Sequence, residues 1–167
     1  NSNKGGTLNS ASTTFNLGDN AANKQYRTIL HFDTSSLPNN AVVTSAILKI
    51  KKQGLVGTNP FATHGPLLVD IRKPYFGTTA GLVISDFQAT TTGIAVAQFG
   101  ALTANWYSAI LNNAGKLNIN RTGATQFRLL FTKDDNNDHG ADYMMFYSGN
   151  TPSAADRPQL IIKYYVP

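Results

Sequence analysis

Apolar and polar residues alternate along most of this chain, which is the period of β-strands. From Tyr26 to Asp33, Thr28, Leu30 and Phe32 fall on one side while Arg27, Ile29 and His31 fall on the other, and Leu37-Pro38-Asn39-Asn40 follows with turn chemistry. Val42 to Lys52 repeats the pattern, with Ala46, Leu48 and Ile50 inward and Lys49 and Lys51 outward. Leu67 to Lys73 turns Leu67, Val69 and Ile71 inward and stops at Pro74. Leu82 to Phe87, Ile94 to Leu102, Leu117 to Asn120, Thr125 to Thr132, Tyr143 to Ser148 and Gln159 to Val166 read as further short strands. Leu160, Ile162 and Tyr164 would form the last core row. Thr7 to Leu17 reads as an edge strand running into Gly18-Asp19-Asn20, and Gln53 to Pro66 as a loop covering one end of a sheet. Trp106 to Leu111 fits a strand or one helical turn.

Nine or ten short strands at this spacing predict an all-β fold, a two-sheet antiparallel β-sandwich of jelly-roll or Greek-key type. Glu is absent while Gly and Asn recur, so no helix longer than two turns is expected. With 167 residues and 41% hydrophobic content, the chain can bury one sizeable core, and 1–167 reads as a single module. No cysteine is present, which removes disulfides and thiolate metal sites. No stretch approaches the about 20 continuous apolar residues of a membrane span, so membrane insertion is not expected. Asn1 is neither an initiator Met nor part of a signal region, and the chain reads as an excised or processed module.

Charge becomes informative once it is located. All nine acids are Asp, and four of them, Asp134, Asp135, Asp138 and Asp142, lie in one short stretch. That leaves fourteen basic residues against five acidic ones elsewhere, a positive body with one acidic pocket. The basic residues are scattered along strands without an arginine-rich helix or an aromatic RNA-binding signature, so nucleic acid is not expected as a partner. Within the acidic stretch, Asp134, Asn136, Asp138 and Asp142 fall at even-numbered separations of two, two and four residues, with Gly140 between the last two. Several hard oxygen donors in one tight loop are what calcium requires, and calcium is the expected metal. An EF-hand would need Gly and Glu where His139 and Met145 stand, so the site would not be one. Turn formation alone also accounts for such Asp and Asn residues.

The segments YRTILHFDTSSLP, VTSAILKIKK, KPYFGTTAGLVISDFQA, TQFRLLFTKDDNNDHGADYMMFYSGN and RPQLIIKYYVP together resemble the DNRLRE domain, from about Tyr26 to Val166. That family is a β-sandwich appended to secreted and cell-surface proteins, and its members have been grouped with carbohydrate-binding modules. On this resemblance the family's strand motif falls on Arg27, Leu30, Phe32 and Asp33, its acidic loop on Asp134 to Asp142, and its closing motif on Arg157, Pro158, Leu160 and Tyr164. His31, where the pattern more often shows Arg, and His139 in the loop depart from it. The resemblance implies a secreted or cell-surface, non-catalytic unit that faces polysaccharide and belongs to a larger chain, without fixing a ligand.

No G-x-S-x-G elbow, H-E-x-x-H pair, P-loop or G-x-G-x-x-G occurs, and His31, His64 and His139 lie far apart in the chain, so no enzyme is expected. Sugar binding needs aromatic plates that stack on pyranose faces. Trp106, Tyr107 and Tyr75 are the candidates for that role, against core packing as the ordinary fate of sandwich aromatics. Two expectations follow: a carbohydrate-binding module stabilised by calcium, or a structural or adhesive spacer with the same fold and no sugar site.

Overall fold

A computed structural model describes Gly6–Pro167, and residues 1–5 lie outside the described residues. Among the described residues, ten strands form two antiparallel sheets stacked as a β-sandwich. They are β1 (Thr14–Asp19), β2 (Gln25–Tyr26), β3 (Thr28–Asp33), β4 (Val42–Val56), β5 (Leu67–Arg72), β6 (Gly93–Gln98), β7 (Trp106–Ile110), β8 (Ala124–Phe131), β9 (Tyr143–Tyr147) and β10 (Gln159–Tyr165). The larger sheet runs β10-β4-β9-β1-β2, with β7 also paired to β4, and the smaller runs β3-β8-β5-β6. The chain changes sheets after β2, β3, β4, β6, β7 and β8. Such repeated crossing belongs to Greek-key and jelly-roll sandwiches, not to an up-and-down barrel.

Period-two patterning fills the core. Ala46, Leu48 and Ile50 of β4, Leu67, Val69 and Ile71 of β5, Phe127, Leu129 and Phe131 of β8, and Met144 and Phe146 of β9 are all buried. Phe61 joins the sheets by stacking on Tyr107 and meeting Phe131 edge-on at 5.1 Å. The two α-helices among the described residues are short, α1 (Pro60–Thr63) and α2 (Asn113–Leu117), in keeping with absent Glu and frequent Gly and Asn.

Several boundaries differ from the sequence reading: β1 begins only at Thr14, runs through Gly18 to Asp19 and lies between β9 and β2, the stretch from Tyr26 is divided between β2 and β3, and β6 ends at Gln98. β4 does not end at Lys52: it bulges between Lys52 and Gly54 and continues to Val56, paired with β9, so the covering loop is shorter. Leu82 to Phe87 is not a strand, and Ile84–Phe87 forms a 3-10 turn started by Asp86 accepting the Val83 N–H at 2.9 Å. Leu117 to Asn120 is not a strand: Leu117 is the last residue of α2, whose start is capped by Asn112, and Asn118 to Asn120 follow it as turn and loop. Tyr164 is exposed because the β10–β4 register shifts between Lys163 and Tyr164, while Leu160 and Ile162 remain against the core.

Over the outer face of the smaller sheet lies the segment from Lys73 to Thr92. Arg128 of β8 pairs with Asp70 of β5 at 2.8 Å and donates to the carbonyls of Asp86, Phe87 and Ala89. Gln126 accepts the Phe76 N–H and donates to the Ala80 carbonyl. The strap and Asp70 between them thus meet Gln126 and the two terminal nitrogens of Arg128, while Nε of Arg128 stays buried without a partner among the described residues.

Candidate functional site

The acidic loop joins β8 to β9, and these strands belong to different sheets, so it spans the end of the sandwich. Asn136 donates through its side-chain amide to Asp138 at 2.9 Å and to Asp142 at 2.8 Å. Asp142 also accepts the Thr58 N–H beyond β4. Three of the four expected metal residues, Asn136, Asp138 and Asp142, are thus brought together. Asp134 has no hydrogen bond to them among the described residues, and its charge acts on Arg27.

Asp19, which no sequence pattern singled out, sits under this loop. It ends β1, is fully buried, and exchanges backbone hydrogen bonds with Asp142 at 3.0 and 3.2 Å. Its carboxylate accepts the Asp142 N–H at 3.3 Å and is also held by the Asn136 N–H. Its Oδ1 lies 3.3 Å from Nε2 of His64, likewise fully buried. Burial pushes the Asp19 carboxyl above its ordinary value, opposed by His64 and the two N–H donors and reinforced by the nearby Asp142 charge. Asp135 is also buried and accepts the Asn137 N–H through Oδ1. The second oxygens, Asp19 Oδ2 and Asp135 Oδ2, are buried without hydrogen-bond partners. Among the described residues, no three imidazole or carboxylate groups stand together as a metal site on their own.

The aromatic candidates separate. Tyr107 is 5% exposed, stacked on Phe61 at 4.8 Å and edge-on to Phe146 at 5.8 Å, so its ring is core and offers no plate to a sugar. Trp106 precedes it on the strand and takes the opposite face, half-buried with the Lys49 and Lys51 ammonium groups 4.9 and 5.9 Å from its ring. Tyr75 is half-buried in the loop after β5, in the other sheet. The three do not form one surface.

A groove of about 890 Å³ opens instead along β3, the outer strand of the smaller sheet, where it faces β1 of the larger one. Thr7–Ser10 and the Leu82–Phe87 region close its sides. Its described lining holds Arg27, His31, Arg157 and Arg128 and no carboxylate. The Arg128 charge is already met by Asp70. Arg27 lies over the Phe87 ring at 4.1 Å, donating to the Phe87 carbonyl at 2.8 Å and to Gln25 at 2.6 Å. Burial first, and the Arg128 charge second, lower the Arg27 guanidinium below its ordinary value, so a positive charge is disfavoured there. Arginine nevertheless keeps its proton in proteins. Arg157 donates to the Thr151 carbonyl at 2.9 Å, and Tyr26 adds an aromatic wall beside Tyr143. Sequence reading placed Arg27 and His31 on one outward face but could not join them to Arg157, 126 residues beyond His31. No known protein family and no curated protein matches this sequence.

Proposed function

We propose that this protein is a non-catalytic carbohydrate-binding module that holds an acidic polysaccharide in the β3 groove and anchors a larger secreted or surface protein to it. The observation that carries this reading is the composition of the groove: three cationic or titratable side chains, Arg27, His31 and Arg157, beside Tyr26, with no carboxylate among the described lining residues. A uronate or sulfate ester would relieve the unfavourable Arg27 environment through charge-assisted hydrogen bonds, and Tyr26 would add apolar contact to a sugar face. The volume falls in the ordinary range of ligand clefts. Ordering a flexible glycan offsets most of the contact energy, so Kd is expected at about 10 µM to 1 mM.

Electrophoresis through gels containing a polyuronate, a sulfated glycan or a neutral glucan tests this. Retardation by the charged polymers, lost in the Arg27→Ala/Arg157→Ala variant, is expected. Equal migration in all gels favours the spacer reading.

A further inference from the structure

His31 of β3 stands opposite Gln126 of β8 in the antiparallel register, and the two side chains meet on the outer face of the smaller sheet. Gln126 is buried beneath the strap, where two groups fix the sense of its amide. The Phe76 N–H can only donate and lies 2.7 Å from Oε1, while the Ala80 carbonyl can only accept and lies 3.0 Å from Nε2. Rotating the amide would set N–H against N–H and oxygen against oxygen, so the amide nitrogen is also what faces Nδ1 of His31 at 3.2 Å. One amide hydrogen goes to Ala80 and the other to His31. Nδ1 therefore accepts, and the neutral ring carries its proton on Nε2.

With Nδ1 tied to β8, Nε2 is the free edge of an exposed side chain that lines the groove, and it has no hydrogen-bond partner among the described residues. We infer, resting on the polysaccharide reading of the groove, that His31 determines specificity there: its Nε2–H donates, as a neutral group, to an anionic oxygen of the bound chain, and Gln126 is the positioning residue that fixes the tautomer. Arg27 and Arg157 supply charge. A neutral donor adds direction without crowding a further positive charge against Arg27, which already feels Arg128. The anionic group that His31 meets is not the one that Arg27 meets, because four residues of extended chain separate the two Cα atoms by roughly 13 Å. The groove thus takes a polymer on which carboxylate or sulfate groups recur, in preference to a chain with one acidic end.

Nitrogen-15 spectra of the imidazoles, with calorimetric titration of an oligouronate and of a sulfated oligosaccharide, test this at about pH 8, above the ordinary histidine range, where a donor and not a positive charge is read. The parent spectrum should show the His31 proton on Nε2 alone, and Gln126→Glu, whose carboxylate accepts from both Phe76 and His31, should move it to Nδ1. For the polymer that the parent binds, His31→Ala, His31→Asn and Gln126→Glu should each lose about fivefold or more in affinity. His31→Gln should stay within about twofold, since its longer amide places an N–H where Nε2 stood. An oligosaccharide of the same length with one terminal uronate should bind about tenfold more weakly than the oligouronate. If Gln126→Glu fails to fold, the exposed His31 series decides. Unchanged affinity in a folded His31→Ala variant, equal affinities of His31→Asn and His31→Gln, equal binding of the singly acidic chain, or a parent spectrum with the proton on Nδ1 overturns the inference and leaves the groove reading standing. Absence of polymer binding by the parent overturns both.

Discussion

Trp106 and Tyr107 are adjacent residues with opposite roles, and substitution should separate them. Tyr107→Ala leaves a hole between Phe61 and Phe146, and chemical denaturation should read a loss of about 3–5 kcal/mol. Trp106→Ala removes a half-buried ring from the outer sheet face and should cost less than about 2 kcal/mol, with groove binding intact. Equal destabilisation by both would contradict the placement of the two faces. Near Trp106, the Lys51 ammonium hydrogen-bonds Asp156 and, helped by Ser153, holds that carboxyl below its ordinary value. A lowered folded-state value means that the contact stabilises above the ordinary carboxylate range and fades as pH falls through the lowered one. Asp156→Asn should therefore leave the protein slightly less stable at neutral pH, and the difference from the parent should vanish in acid melts.

At the scale of elements, the crossing from β8 to β9 is held by close backbone approach. Gly57, just beyond β4, has φ 67°, and a Cβ there would collide with the Ala141 carbonyl and the Asp142 carboxylate. Gly57→Ala should lower Tm by several degrees, and an unchanged melt would show that the loop can retreat without cost. Strand positions in the core were readable from sequence because inward residues recur every second position, as Leu67, Val69 and Ile71 do. Sheet membership was not: alternation in β8 and β9 is the same whether the strands pair or sit in opposite sheets. The acidic loop was visible as a cluster, but Asp19 lies 123 residues before Asp142 and carries only the signal of a turn. Trp106 to Leu111 remained open because five strand residues fit either period, which hid that Tyr107 must face the core.

Taken whole, the molecule separates its charges. Asp19, Asp135, Asp138 and Asp142 gather at one end, while Arg27, His31 and Arg157 line an edge groove without carboxylates among the described residues. The net charge of +5 thus has a local meaning: it adds long-range attraction for an acidic chain, with the groove as the place where the chain would be held. The spacer alternative requires the same sandwich but gives the groove no ligand. Calorimetric titration of an oligouronate into the parent protein and into Arg27→Ala/Arg157→Ala separates the two. Binding at about 10 µM to 1 mM, weakened by added salt and reduced tenfold or more in a variant whose melting curve still shows a folded protein, is the predicted result. Absence of binding to the parent, or equal binding by the folded variant, would contradict the assignment of the groove.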